Sequence, residues 1–300
     1  MLTLDKPACS TRPLVTGLRV LVVSVLVTVL LTGHEITFQS ARPPGLARFG
    51  LFWFFREHRY LGLLIFSGLL AGVMTTRLPR ISFPLGWFAM WSFQTATPAP
   101  EGGDQIASQV LLVAALFLVF MARGLTQSLS QTTIRTSWNQ LYRGLEILLC
   151  AIYLNSAIAK LSRVTWQDGT AMYYIHQDGQ FGAAWFLRPF SKVLFNNPLP
   201  TAFATWGAIL FELVLAVGAA SRPLLDSKAL KILLAIAVSL HGAIALLLGL
   251  PTFGLVMIGF NIIVFADRTK QSDQAENHIV VDENLRANFS RSRGWLIRKP

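Results

Sequence analysis

The sequence predicts an all-α bundle of about six to eight membrane-spanning helices, and three observations lead there. Apolar residues make up 53% of the 300-residue chain and charged residues 14%, whereas a soluble domain carries about 25% charged residues. Several runs approach the roughly 20 apolar residues that a helix needs to cross a bilayer. No stretch alternates apolar and polar side chains in the manner of a membrane β-barrel, which leaves helices to satisfy the backbone in lipid.

The elements follow in order. A short N-terminal tail, residues 1–13, precedes the membrane domain, 14–266. The first run, Leu14 to Gly33, follows Lys6 and Arg12 and carries Arg19 near its start. Its far end, "LLTGHEITFQ", has no small-x-small cleavage site, so it reads as an uncleaved span and not a signal peptide. The aromatic stretch Phe49 to Phe55 is too short to cross and suits the membrane interface. Tyr60 to Met74 is a second span, short but extendable by its polar ends. "ISFPLGWFAMWSF", 81 to 93, is interrupted by proline and fits either an interfacial or a re-entrant segment. The turn-rich "TPAPEGGDQ" then leads into a third span, Ile106 to Ala122, with Asp104 placed to cap it. The fourth and fifth spans are Leu141 to Ala159 and Leu199 to Ala220, and the sixth is Ala229 to Leu248. Gly249 and Pro251 then kink or turn the chain before a last run, Thr252 to Ala266. The polar, basic tail 267–300 and the basic N-terminus both favour the cytoplasmic side, which requires an even number of crossings.

A net charge of +11 and a pI near 10.3 would point a soluble protein towards nucleic acid. Here the basic residues lie between apolar runs and in the tail, with no basic stripe. Nucleic acid is therefore excluded as a partner, and anionic membrane lipids take its place. Of the two cysteines, Cys9 precedes the first apolar run and Cys150 lies inside a helix. Neither belongs to a Cys-x-x-Cys or Cys/His cluster, so no metal site is expected.

Ionisable groups at membrane depth are costly and each needs a reason. Arg143, Glu146, Cys150, Tyr153, Ala157 and Lys160 recur at steps of three and four on the fourth span, so they share one face. Glu146 and Lys160 are about 21 Å apart along it and cannot pair, so the face resembles one wall of a polar cavity. Arg143 with Glu146 also fits an ordinary helix-surface pair, and Lys160 a residue snorkelling to the boundary. Alternatively, Lys160 in a partly desolvated pocket is a usable general base, with Trp166, Tyr173, Tyr174 and His176 as substrate contacts. Glu212, mid-span on the fifth helix and a heptad after Thr205, is expected to pair with a basic group or bind a substrate. His241 in the sixth span is more often a hydrogen-bonded packing residue than a functional one. Asn261 is expected to bond another helix.

"YLNSAIAKLSRVTWQDGTAMYY" and "HGAIALLLGLPTFGL" together resemble the HTTM membrane fold of the vitamin K-dependent gamma-carboxylases. "TGLRVLVVSVLVTVLLTG", "WSFQTATPAPEGGDQI" and "FELVLAVG" bring the chain nearer to the bacterial SdpB-type branch, the membrane component of sporulation-delaying peptide toxin systems. The likeness runs from about Gly17 to Phe265. In the carboxylase branch the lysine matching Lys160 is the base that deprotonates the reduced vitamin. The resemblance thus implies Lys160 as a catalytic base, with a quinone-like lipid as cofactor. This chain has no room for the large lumenal domain of the carboxylases, and after the third span "ARGLTQSLSQ" keeps only Arg123 of an expected basic and aromatic cluster.

Two functions follow from the resemblance. In the first, the protein matures or exports a secreted antimicrobial peptide precursor together with a small partner protein. No protease nucleophile, His-Glu-x-x-His or intramembrane Asp pair is present, so it is expected to position the precursor for another enzyme. In the second, it is a membrane enzyme with Lys160 as base and Tyr174, His176 and Glu212 lining the site. A carrier is disfavoured, because the paired broken helices of inverted repeats are missing.

Overall fold

A computed structural model of the protein describes residues 12–32, 50–51, 58–75, 79–96, 102–124, 131–177 and 183–266. The polar tail 267–300, Cys9 and nearly all of the proposed interfacial stretch 49–55 lie outside these residues. The described residues are helical throughout, without a strand. The principal helices are α1 (Arg12–Thr32), α2 (Arg59–Thr75), α3 (Pro79–Ala96), α4 (Gly102–Gly124) and α5 (Gln131–Leu161). Short helices α6 (Val164–Gln167), α7 (Ala171–Gln177) and α8 (Arg188–Phe195) follow. The chain then returns through α9 (Pro198–Ala220), α10 (Ser227–Leu247) and α11 (Pro251–Phe265).

Side-chain contacts fix the direction of every long helix. Arg19 near the start of α1 donates to the Met74 carbonyl at the end of α2. Phe66 of α2 stacks on Phe93 of α3, with centroids 5.1 Å apart. Gln94 at the end of α3 donates to the Asp104 carbonyl at the start of α4, and Phe117 of α4 meets Trp138 of α5. Glu146 midway along α5 faces Arg222 just beyond α9, while Lys160 at the end of α5 reaches Glu212 inside α9. Gly218 of α9 packs on Leu233 of α10, and Gly254 of α11 packs on the His241 carbonyl and Ala245 of α10. Thr28 and Thr252 hydroxyls meet at 2.5 Å, whereas Gly17 abuts Gly259. Consecutive long helices therefore alternate up and down. α1 starts and α11 finishes at the same end, termed the near end below.

Three of these helices are long and apolar enough to cross a membrane: Trp138–Leu161 within α5, Pro198–Ala220 and Ser227–Leu247. The six to eight expected are not all reached. Pro13–Val29, Tyr60–Thr75, Gly102–Phe117 and Pro251–Phe265 are apolar but shorter. At 1.5 Å per residue, runs of 15–17 residues cover about 23–26 Å of a hydrocarbon core about 30 Å thick.

Several local expectations change. Residues 81–93 form part of a continuous helix, α3, which runs between α2 and α4 and buries Phe83, Ala89, Met90 and Phe93. Pro84 is tolerated near the helix start, where its missing N–H removes a single intrahelical bond. α5 begins ten residues before the apolar run does, because the polar lead "QTTIRTSWNQ" contains no glycine or proline to stop it. α4 starts at Gly102, so Asp104 sits in its first turn and not before it; an acidic group there still complements the helix dipole. The break at Gly249 is a tight turn, with φ 70° at the glycine and Pro251 at the head of α11, so α10 and α11 form a packed hairpin.

Gly259 is required where it stands. A Cβ there would lie 2.7 Å from the Gly17 carbonyl oxygen and 3.0 Å from the Leu21 nitrogen. Lipid tails give helices no hydrophobic reason to associate, so close backbone approach at small residues carries much of the packing.

Candidate functional site

The site is organised by one face of α5. Glu146, Tyr153 and Lys160 follow one another at heptad steps, two helical turns or about 10.5 Å each. Glu146, Tyr153 and Ala157 are buried, while Cys150 and Lys160 are half-buried. The expected single cavity wall is instead three separate polar layers, each closed by a different set of helices. A helix face this long meets several neighbours in a bundle of antiparallel helices, so its polar groups are shared among them.

The layer nearest the far end holds Lys160. Its ammonium donates to both carboxylate oxygens of Glu212, at 2.7 and 2.9 Å, and to Ser156 Oγ at 2.5 Å. Ser156 in turn donates to Glu212 Oε1 at 3.1 Å. The three N–H bonds of a lysine ammonium are thereby all engaged. Lys160 does not simply snorkel to water, since its side chain is 20% exposed and Glu212's is 7%. Of the two alternatives for Glu212, the structure has it paired with a basic group. Trp166 completes the layer, with the Lys160 Nζ 5.2 Å from its ring centroid, within cation–π range.

Local sequence explains how Trp166 returns to Lys160. α5 ends at Leu161, and the Trp166 and Gln167 amides donate back to the Arg163 carbonyl, opening the one-turn helix α6. Gly169 then takes φ 73°, the left-handed conformation that favours glycine. That lets α7 fold along α9, where the Met172 amide donates to Thr205 Oγ1 at 3.3 Å. Trp166, Ala171 and Met172 pack with Ala157, Phe195, Ala208, Ile209 and Leu248 in a small apolar cluster beneath the ion pair.

The remaining expected contacts are not gathered here. Tyr173 and Tyr174 are exposed and pack edge to face on each other, 5.3 Å between centroids. His176 lies against the Phe195 ring at 5.6 Å, its Nδ1 buried without a hydrogen-bond partner among the described residues. His241 belongs to the middle layer, where its Nε2 is 2.8 Å from the Tyr153 hydroxyl. Asn261 Nδ2 donates to that hydroxyl at 2.6 Å and to the Met257 carbonyl at 2.8 Å. The Tyr153 hydroxyl and His241 Nε2 share one hydrogen bond, and which of them donates depends on the His241 tautomer. Asn261 thus bonds another helix as expected, and His241, also a candidate substrate contact, is hydrogen-bonded to α5.

At the near end, Glu146 Oε2 accepts from Arg143 at 3.0 Å and Oε1 lies 3.5 Å from Arg222 Nε. The Arg143–Glu146 pair is therefore more than a surface pair, because Glu146 is buried and a second guanidinium holds it. Ser156 and Arg222 are the partners that sequence reasoning missed. Ser156 stands one turn before Lys160, a polar residue in an apolar run, and that signal was available. Arg222 reads in sequence only as a boundary residue. Asp104 is buried in packing between α3 and α4, remote from the Lys160 layer in its bonding. Among the described residues, no three His, Cys, Asp or Glu side chains converge as metal ligands would.

No protein-family model matches the chain, and no solved structure matches it. Two curated proteins of Bacillus subtilis (strain 168) do. YitO is 27% identical over 216 residues, 69% of this chain and 68% of its own. The sporulation-delaying protein SdpB is 28% identical over 218 residues, 68% of this chain and 62% of its own, so the chain spans less than two thirds of that relative. The SdpB-type resemblance read from the motifs is thus matched by similarity over 68% of the chain, while the wider carboxylase-type fold is not shown by a family model or a solved structure. With its described residues folded as helices, three of them long and apolar enough to cross a membrane, and with a polar ladder along α5, this chain is similar to SdpB.

Proposed function

We propose that the protein is a multi-pass component of a bacterial cytoplasmic membrane that serves the production of a secreted sporulation-delaying-type peptide. It acts with a small partner protein to mature or export the peptide precursor. The observation that carries this reading is the similarity to SdpB over 218 residues. All eight long helices, α1 to α5 and α9 to α11, cross the bilayer, the shorter ones by thinning it locally or by using their polar ends. The even count puts both chain ends on one side, which the charge of both tails makes the cytoplasmic one.

The Lys160–Glu212–Ser156 layer with Trp166 is the working centre under this reading. A rigid, paired charge at membrane depth orients a polar group of the precursor as it passes. The test is production of the active peptide in cells that carry the neighbouring genes, with wild type compared against Lys160→Ala at equal protein level. Loss of active peptide with intact expression supports the reading. Wild-type production by the variant refutes a role for this centre. Precursor retained inside the cell separates failed export from failed maturation.

A second reading keeps Lys160 as a general base in a membrane enzyme with a quinone-like cofactor. It is favoured by one observation: the Glu212 carboxylate, 2.7 Å away, is an immediate acceptor for the proton that Lys160 must lose before it acts. Lys160→Arg keeps the charge and the pair but cannot deprotonate, so retained activity in that variant excludes the base role.

A further inference from the structure

α9 and α10 meet near the turn that joins them, where Gly218 packs on Leu233, and part towards the far end. Beyond that contact each is claimed by a different neighbour. Glu212 of α9 pairs with Lys160 of α5, while Gly254 of α11 packs on the His241 carbonyl and Ala245 of α10. The gap between them is a groove of about 250 Å³, bordered by α9 over residues 203–211 and by α10 over residues 239–248. Met172 of α7 and Phe195 of α8 line it from the far-end short helices.

Small side chains leave this gap open. Ala204, Gly207, Ala208 and Ala243 line it, and a Cβ at Gly207 would meet nothing within 4 Å. Phe203 and Phe211 are exposed, so the groove opens on the outer surface of the bundle. α9 and α10 are two of the three helices long and apolar enough to cross a membrane, so that surface faces acyl chains. Along both helices the groove is about 12 Å long, which fits within one leaflet of a hydrocarbon core about 30 Å thick.

Chemistry and width select the occupant. Among the lining residues only Ser239 brings a polar side chain, too few partners to hold water. Left empty, the lining would forfeit dispersion contacts along its whole length. About 250 Å³ spread over about 12 Å is a mean section of about 20 Å², the width of one extended alkyl chain. A peptide helix, about 10–12 Å across with its side chains, does not fit. We propose that the groove holds one acyl chain of a phospholipid from the far-end leaflet, as a retained lipid and not as passing solvent. The assignment rests on α9 and α10 crossing the membrane and is independent of the peptide-production reading.

The test uses the full chain in nanodiscs of dioleoylphosphatidylglycerol, doped with a phosphatidylcholine that carries a diazirine midway along one acyl chain. Photolabelling, mapped by peptide mass spectrometry, is expected on residues 203–211 and 239–247. Its yield there should be about tenfold or more that on Leu154 and Ile158, which are exposed on the far-end half of α5. After transfer into a steroidal detergent, whose rigid rings are too wide for the groove, native mass spectrometry should find one phospholipid per chain. Gly207→Phe fills the groove and should lower both readouts about tenfold, whereas Leu210→Phe, an exposed change outside it, should stay within about twofold of wild type. Ala243→Leu, a smaller filling from α10, carries the test if Gly207→Phe fails to fold. Labelling no stronger than on α5, retention unchanged in the filled variants, or equal loss in Leu210→Phe overturns the proposal. So does a retained species other than a phospholipid.

Discussion

Removing one partner of the Lys160–Glu212 pair should be far more damaging than removing both. In Lys160→Met the Glu212 carboxylate is left 5% exposed on the middle of α9, with only Ser156 to bond it. Two contacts at 2.7 and 2.9 Å correspond to roughly 6 kcal/mol of attraction at an effective dielectric near 20, most of it offset by the desolvation of both ions. Stranding one buried charge therefore costs about 3–5 kcal/mol. For a 300-residue chain, at about 2.1 cal/mol/K of unfolding entropy per residue, that lowers Tm by roughly 5–8 °C. Glu212→Gln should cost less, since a lone Lys160 near the end of α5 can extend towards water. Lys160→Met with Glu212→Leu should be close to wild type, because two apolar side chains replace a pair whose net worth is small. The assay is thermal unfolding of the purified protein in detergent, followed by tryptophan fluorescence. If Lys160→Met loses under about 1 kcal/mol, the pair behaves as a solvated surface pair and the argument for a desolvated centre fails. A double variant as unstable as the sum of the singles refutes it too.

Gly259→Ala should lower Tm by several degrees, because its Cβ would press on the Gly17 carbonyl across the α1–α11 contact, whereas Gly242→Ala meets nothing within 4 Å and should leave Tm level or slightly raised. Tyr153→Phe should cost about 1–3 kcal/mol in the same unfolding assay, since it removes one of the two partners of Asn261 Nδ2 and the partner of His241 Nε2 in a buried layer; a change below about 0.5 kcal/mol would mean that other groups satisfy them. Cysteines placed at Ser162 and Pro223 should be labelled by a membrane-impermeant thiol reagent from opposite sides of the membrane, in a background without Cys9 and Cys150. Labelling of both from one side would contradict the alternating course of α5 and α9.

The positions of the long helices were legible in sequence because hydrophobic runs are local: each apolar run read as a span between Leu14 and Ala266 falls on a helix. Periodicity also placed Glu146, Tyr153 and Lys160 on one face, since helical spacing is a property of a single segment. The proline-broken stretch 81–93 was ambiguous for the same reason, as its fate depends on what α2 and α4 offer it and not on its own pattern.

Sequence alone thus determined that this is a helical membrane protein, that α5 carries a line of polar groups, and that Lys160 and Glu212 both needed an explanation. Only the tertiary structure decided that they explain each other. Lys160 and Glu212 are 52 residues apart, and nothing in either helix states which face meets which. It likewise separated Tyr153, His241 and Asn261 into a middle layer, and it brought Arg222 back to Glu146, 76 positions earlier in the chain. Periodicity fixes which direction a side chain leaves its own helix; the partner it meets is set by how antiparallel helices pack, and that is decided by the whole bundle at once.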